Sequence, residues 1–269
     1  MKLREAIEIL KSARVENPRY DARELFIRIG KMKPEAVISL DTECSSQELE
    51  IAIERRRKRE PLQYIIGEVD FYRESYGVTP ACLIPRQDTE ILVDYAVKHI
   101  PSGARFLDLC TGSGCIAVST LKNTEKTVAL AVDISEDALN VARHNAEKNG
   151  VSERISFISA DVLDRPVCDE VFAVLSNPPY VTEEAYRELE PEIYFEPEIA
   201  FVGGRSGLDF YERIIALYKD RIDRAGFIGF EIGYDQADAL RALASSYGMT
   251  CEIIKDYSQN DRVAILRSK

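Results

Sequence analysis

A chain of 269 residues, 45% of them hydrophobic, is long enough for one large domain or two modest ones with a substantial core. The net charge of −11 is uneven: residues 1–60 carry 14 Lys and Arg against 12 Asp and Glu, a net of +2, which leaves −13 on the remainder and argues against broad nucleic-acid binding there, because an acidic surface repels phosphates and favours a cationic ligand or a basic protein partner. There is no signal-peptide pattern, no apolar run of the about 18 residues a membrane span needs, no C-x-x-C pair among six cysteines, and only His99 and His144, so the expectation is a cytoplasmic protein with no membrane partner, no metal site, no disulfide framework and no histidine-based catalysis.

Residues 3–60 read as helices. Leu3, Ala6, Ile7, Leu10 and Ala13 recur at the helical period, as do Ala22, Leu25, Phe26 and Ile29 ahead of a stop at Gly30. Ser45-Ser46 can cap a third helix whose apolar positions are Leu49, Ile51, Ala52 and Ile53. It ends in Arg55-Arg56-Arg57-Lys58-Arg59, where cations complement the helix dipole. That run is either a solvated helix end or a contact for an acidic partner or RNA. Residues 61–84 mix aromatic and β-branched side chains around Gly67, which predicts a β-hairpin or short strands linking two domains. Ile84-Pro85-Arg86-Gln87-Asp88-Thr89-Glu90 then leads into a helix over about 88–99, broken by Pro101-Ser102-Gly103.

From residue 104 strands and helices alternate, the pattern of an α/β fold with a parallel sheet and helical crossovers. Strands are predicted at about 105–110, 127–132, 155–160, 171–176, 226–231, 250–255 and 262–267, and helices at about 114–122, 135–149, 206–223 and 235–247. The short link over 256–261 makes the last two strands an antiparallel hairpin at the sheet edge. The expected division is a helical domain at 1–60, a hairpin linker at 61–84 and an α/β domain at 85–269.

The strand over 171–175 runs into Ser176-Asn177-Pro178-Pro179-Tyr180. Two prolines have fixed φ and no N–H, so the ladder stops and a stiff loop begins at the carboxyl end of a strand, where open α/β sheets bind ligands. The amide of Asn177, the carbonyls of Asn177 and Pro178 and the ring of Tyr180 suit a planar NH2 group, with two acceptors for its hydrogens and an aromatic face to lie against. Taken alone, such a loop is also an ordinary turn.

A second loop strengthens the first. Asp108-Leu109-Cys110-Thr111-Gly112-Ser113-Gly114 runs off a strand into a helix, without the G-x-G-x-x-G of dinucleotide binders. Asp108 is unfavourable for a pyrophosphate but suits a cationic amino acid. Asp133 ends the next strand, where a carboxylate can take two ribose hydroxyls, and Asp161 follows the third, where it can accept from an adenine amino group. Amino acid, ribose and adenine without phosphate describe S-adenosyl-L-methionine. Contacts to it are expected from Asp108, Cys110, Thr111, Gly112, Ser113, Gly114, Asp133, Ile134, Asp161, Val162 and Asn177.

These motifs resemble the class I, Rossmann-like methyltransferases, and more narrowly the HemK/PrmC family of protein-(glutamine-N5) methyltransferases. The resemblance runs over nearly the whole chain. It takes in the helical N-terminal part, Pro61 to Gly67, Ile84 to Glu90, Asp108 to Gly114, Asp133-Ile134-Ser135, Asn177 to Tyr180, Glu196-Pro197, Gly203-Gly204, Gly207-Leu208 and Glu231-Ile232-Gly233. It implies a seven-stranded, mostly parallel sheet with an antiparallel last strand. It also implies methyl transfer from S-adenosyl-L-methionine to the glutamine of the Gly-Gly-Gln motif in class-1 peptide chain release factors, by a monomer without stable nucleic acid.

By the same resemblance Asn177, Pro178 and Tyr180 are the expected catalytic residues, and Pro179 joins them in holding substrate. Arg86, Thr89, Glu90, Glu196 and Pro197 are expected to support the site. The chain departs from the family pattern at Gln87-Asp88, at Cys110 and ahead of Arg262. Three other readings stay open: transfer to a glutamine of a ribosomal protein, to an amino group of a nucleic-acid base, or a non-catalytic cofactor-binding subunit.

Overall fold

The computed structural model describes residues 1–269, which form two compact units. The smaller comprises Met1–Glu68 and Glu190–Phe195, the larger Val69–Leu189 and Glu196–Lys269.

The small unit is built on helices α1 (Leu3–Ser12), α2 (Pro18–Arg28), α3 (Gln47–Arg57) and α4 (Leu62–Ile66). Leu3, Ala6, Leu10, Ala22, Leu25, Phe26, Leu49 and Ile53 share its core, as their helical spacing requires. Ser46 caps α3, its hydroxyl accepting from Leu49 N at 3.2 Å. Two expectations fail here. Ile51 is 54% exposed, on the outer face of α3. Residues 62–66 are helical, not extended: Leu62 and Ile65 both face the core, and Gly67, at φ 87°, ends the turn with its N–H on Gln63 O at 2.7 Å. A run of five residues, four of them apolar or aromatic, does not reveal its own period, which is why strand and helix read alike.

The basic run is consumed within this unit. Arg55 pairs with Glu60, Arg57 and Lys58 with Glu54, Arg56 with Asp21 and Glu192, and Arg59 with Glu190 and Glu192. Arg56 and Asp21 are both buried, and removing one partner of such a pair typically costs about 3–5 kcal/mol. The exposed pairs are worth about 0–1 kcal/mol each.

A hairpin begins at the last residue of the small unit and carries the chain into the large one, β1 (Glu68–Phe71) and β2 (Glu74–Gly77), and is followed by α5 (Glu90–His99). Seven strands follow: β3 (Arg105–Leu109), β4 (Val128–Asp133), β5 (Ile155–Ser159), β6 (Val171–Ser176), β7 (Ile222–Glu231), β8 (Met249–Lys255) and β9 (Asp261–Ser268). Their order is β5-β4-β3-β6-β7-β9-β8. All neighbours are parallel except β9, which runs antiparallel to both β7 and β8. The connecting helices are α6 (Cys115–Lys122), α7 (Glu136–Lys148), α8 (Glu183–Tyr186), α9 (Asp209–Tyr218) and α10 (Ala237–Ser246).

Alternate residues of β3 explain the layers. Phe106 packs in a cluster with α5, α6 and α7, while Leu107 and Leu109 pack with α9 and α10 on the other face. The helix expected over 206–223 stops at Tyr218, and β7 starts already at Ile222. Ile222 pairs with Val171, and the exposed stretch Asp223-Arg224-Ala225 interrupts the register before Phe227 pairs with Ala173. Successive units leave β3 in opposite directions, to β4 on one side and β6 on the other. The switch point therefore lies at the carboxyl ends of β3 and β6, where such sheets bind ligands.

Candidate active site

The residues after β3 and β6 meet at that switch point. Leu109 pairs with Ser176, and the Ser176 hydroxyl donates to Leu109 O at 2.7 Å. A cavity of about 250 Å³ opens there. Cys110, Thr111, Gly112, Ser113, Asp133, Ile134, Asp161, Val162, Asn177 and Pro179 line it, with Arg86, Thr89 and Pro197 from the flanking loops.

The loop after β3 is shaped by its backbone. Cys110, Gly112 and Gly114 have φ of 58°, 53° and 80°, so alternate residues are left-handed. A side chain on Gly114 would sit 3.0 Å from Ala142 Cβ, whereas one on Gly112 would meet nothing within 4 Å. Gly114 is therefore needed for packing against α7. Cys110 stands in a conformation that costs an L-residue about 1–2 kcal/mol. Buried Asn145 fastens the loop, donating to Ser113 O at 2.9 Å and Gly77 O at 3.0 Å while accepting from Gly77 N at 2.7 Å.

Asp108 does not reach the cavity wall. In step with Phe106, it turns towards α6, where its Oδ2 accepts from Thr111 Oγ1 at 2.6 Å and Ala117 N at 3.1 Å. Its Oδ1 is buried without a partner, and burial pushes the carboxyl up to about 7 against the pull of those two donors. Asp133 does line the cavity. Its Oδ2 accepts from Gly112 N at 2.8 Å and its Oδ1 from Ser135 N at 3.0 Å, and burial raises its carboxyl. Asp161 is exposed at the rim, with its Oδ1 on Leu163 N at 2.8 Å. Ile134, Val162, Leu163 and Phe210 give the same wall an apolar surface.

Opposite this wall lies the Asn-Pro-Pro-Tyr loop. Asn177 and Pro179 line the cavity, and Pro178 and Tyr180 adjoin these lining residues in the same loop. Asn177 Nδ2 donates to Thr89 Oγ1 at 3.4 Å, and no group of the chain donates to its Oδ1. Thr89 Oγ1 donates to Glu231 Oε2 at 2.5 Å, and the Tyr180 hydroxyl donates to Glu231 Oε1 at 3.3 Å. Burial raises the carboxyl of Glu231, opposed by Thr89, by the Arg262 charge and by Tyr180. Glu196 is buried as well, taking Ile84 N at 2.8 Å and pairing with Arg86, so it braces the segment that carries Arg86 without touching the cavity. Glu90 serves elsewhere, accepting from Tyr72 N at 2.9 Å and so fixing the hairpin.

The loop over 201–207 closes on the same residues. Val181 N donates to Phe201 O at 2.8 Å, and Gly203 N to Val181 O at 2.9 Å. A Cβ on Gly203 would fall 2.2 Å from Pro179 O, and one on Gly207 2.4 Å from Tyr180 O. Glu231 and Gly203 received no site role from the sequence. The usable signal was an acidic residue closing an apolar strand, the same cue that singled out Asp133.

Two of the three departures from the family pattern, Asp88 and the stretch ahead of Arg262, come together. Arg262 lies 3.3 Å from both Asp88 and Asp256. Neither His99 nor His144 lines the cavity.

A doubly wound sheet with a ligand cavity at this switch point, bordered by strand-end carboxylates and an Asn-Pro-Pro-Tyr loop, defines a Rossmann-like methyltransferase. The fold is shared with the hMettl16 catalytic domain, at 17% identity and a TM-score of 0.59 over 90% of this chain and 92% of that one. It is also shared with the ribosomal protein L11 methylase of Lactobacillus delbrueckii, at 18% identity and a TM-score of 0.52 over 71% and 84%. Residues 2–67 match the PrmC N-terminal domain and residues 87–192 the Methyltransferase small domain. Over 257 residues the chain is 37% identical to the release factor glutamine methyltransferase of Thermodesulfovibrio yellowstonii, covering 92% of this chain and 91% of that one. Over 256 residues it is 34% identical to the enzyme of that name from Geobacter sulfurreducens, covering 93% and 89%. The chain belongs to the release factor glutamine methyltransferase family.

Proposed function

We propose that this protein transfers the methyl group of S-adenosyl-L-methionine to the side-chain nitrogen (N5) of the glutamine in the Gly-Gly-Gln motif of class-1 peptide chain release factors, leaving S-adenosyl-L-homocysteine. The relatives' shared name supports the substrate. The observation that carries the chemistry is that Asn177, with an unengaged Oδ1, lies on the same cavity as Asp133, Asp161 and the Gly112 backbone.

That cavity suits the cofactor. Open space at Gly112 admits a ligand against the backbone, Asp133 and Asp161 offer carboxylate oxygens to hydroxyl and amino groups, and the apolar side chains around Ile134 suit a planar base. When bound, the cofactor supplies a methyl group activated on a sulfonium sulfur. The substrate amide nitrogen is a poor nucleophile, because its lone pair is delocalised into the carbonyl. Orientation must therefore supply much of the rate. Asn177 Oδ1 accepts one amide hydrogen, and the Pro178 carbonyl, which takes no hydrogen bond from the chain, accepts the other. Tyr180 packs against the flat amide. Held by both hydrogens, the nitrogen presents its lone pair to the methyl, the acceptors stabilise the positive charge that develops on it, and as the N–C bond forms and the S–C bond breaks one amide hydrogen leaves as a proton to solvent, giving the neutral N-methyl amide.

The helical unit, Met1–Glu68 with Glu190–Phe195 rather than the expected 1–60, holds the release factor away from its glutamine, because a tripeptide alone offers too little surface for selectivity. Its basic run is already paired internally, which supports a protein partner over RNA. The protein acts as a monomer in the cytoplasm, where release factors work.

Mass spectrometry of a recombinant class-1 release factor, incubated with this protein and S-adenosyl-L-methionine, tests the proposal. One added methyl on the Gly-Gly-Gln peptide is expected, and Asn177→Ala is expected to lose about 1,000-fold or more in kcat with cofactor affinity nearly unchanged. Methylation found only on ribosomal protein or nucleic acid would overturn it.

A further inference from the structure

We infer that Glu231, acting through Thr89, is a positioning residue that fixes which end of the Asn177 amide faces the cavity. The inference rests on the proposed transfer to a glutamine amide and names what keeps its acceptor in place.

An asparagine side chain is nearly symmetric in shape and opposite in polarity at its two ends, so its orientation is decided only by its partners. At Asn177 the partner is a hydroxyl, which by itself decides nothing, because Thr89 can donate or accept. The deciding group is one bond further back. Thr89 has a single hydroxyl hydrogen, and it points to Glu231 Oε2 at 2.5 Å. Thr89 Oγ1 is then left with lone pairs only. The group that meets it at 3.4 Å must be the donor end of Asn177, and Oδ1 is turned the other way. At the long end of the hydrogen-bond range this contact is weak. It biases a choice between two orientations and leaves the side chain free to settle on a ligand.

Three groups hold Glu231, at the end of β7, in its accepting role against the burial that raises its carboxyl: the Thr89 hydroxyl, the Arg262 charge and the Tyr180 hydroxyl, which its second oxygen receives at 3.3 Å. Both carboxylate oxygens thus take hydrogens, one from each side of the Asn-Pro-Pro-Tyr loop's support. Thr89 itself is 2% exposed, so water has little room to replace it. With the polarity reversed, Asn177 would offer an NH2 to a substrate NH2, two donors facing each other, and the near-attack geometry would be lost. The relay explains why a buried acid sits behind a site whose chemistry calls for no general base.

Two variants separate the hydroxyl from the space it fills. Thr89→Val keeps the shape and removes the relay, while Thr89→Ser keeps the relay and removes a methyl. We expect Thr89→Val to lower kcat on the release factor by about 10-fold, with the KM for S-adenosyl-L-methionine within about twofold and the thermal midpoint within a few degrees. Thr89→Ser is expected to recover most of the loss. Glu231→Leu, which removes the acceptor for the Thr89 hydroxyl, should lower kcat at least as far as Thr89→Val does.

Side-chain amide NMR gives a readout that needs no turnover. The Asn177 NH2 signal, assigned by its disappearance in Asn177→Ala, should carry a hydrogen-bond shift in the wild type and in Thr89→Ser and lose it in Thr89→Val. A wild-type kcat in Thr89→Val, a serine variant no better than valine, or an Asn177 signal indifferent to Thr89 would overturn the relay. A wild-type protein that leaves release factors unmethylated would overturn the proposed substrate, while the NMR series still decides the relay.

Discussion

The two walls of the cavity are built from different materials. After β3 the wall is backbone: left-handed residues at Cys110, Gly112 and Gly114, an N–H of Gly112 on Asp133, and Asn145 tying Ser113 to the hairpin. After β6 it is side chain: two prolines stiffen the loop, and the Asn177 amide is aimed by Thr89 and Glu231. A methyl group is the same small object wherever it is carried, so the first wall needs to match the shape of its carrier. The second must tell a hydrogen-bond donor from an acceptor. Shape is cheaply specified by φ angles and glycines, polarity only by groups with lone pairs and protons.

This contrast can be broken from either side. The largest effect is expected at Gly203, which lets the neighbouring loop lie against the Pro179 carbonyl. In Gly203→Ala the Cβ would be 2.2 Å from Pro179 O and 2.8 Å from Tyr180 Cα, so backbone must move. Steady-state kinetics should show kcat falling by about 100-fold with cofactor affinity little changed, because about 1 Å of misplacement is enough to lose the near-attack geometry. If cofactor binding fell in step with kcat, the two walls would not be separable.

A smaller effect is expected on the opposite wall. Asp133→Ala removes the carboxylate that faces the cavity and frees Gly112 N. Its KM for S-adenosyl-L-methionine should rise by about 10- to 100-fold with kcat at saturation within a few fold, the range expected when charged hydrogen bonds of about 1.5–3 kcal/mol are lost. A fall in kcat alone would contradict this.

The smallest effect is a pH dependence. Burial raises the Asp108 carboxyl from 3.8 to about 7, so between those values the folded chain holds a proton that the unfolded chain has released. The stabilisation linked to that proton is complete below 3.8 and is lost as pH rises towards about 7. Urea denaturation of the wild type and of Asp108→Asn should diverge across this window, the wild type losing about 1.4 kcal/mol relative to the variant per pH unit. Parallel stability curves would mean that Asp108 is ionised in the folded protein throughout.

The sheet was legible because a doubly covered parallel sheet demands apolar strands. Runs such as Phe106 to Leu109 and Val171 to Leu175 cannot be hidden in any other way. Boundaries were less legible where burial was partial. Ile222 joins β7 although Asp223, Arg224 and Ala225 are exposed, and no local pattern predicts a strand that carries such an interruption. The two loops at the switch point stood out because proline and glycine state their backbone geometry in the residue type. Distance hid the rest. Glu231 lies 142 residues from Thr89, and Glu192 lies 133 from Arg59, so nothing near either residue announces its partner. The same distance made the arginine run look free for a visitor when its partners were already in the chain.

The segment Glu190–Phe195 carries its own consequence. It belongs with the helical unit, yet the residues on both sides of it belong with the sheet. The two units are therefore joined covalently at Glu68, at Glu190 and again at Phe195, where a simple tandem arrangement has one junction. A front module attached by a single thread can be exchanged as a cassette during evolution or by an engineer. This one is joined at three points, and excising residues 1–68 would strip Glu192 of Arg56 and Arg59 while leaving its six-residue patch behind. Chimeras that exchange the helical unit should carry Glu190 to Phe195 along with it, so that the graft follows the contacts of the chain instead of its order.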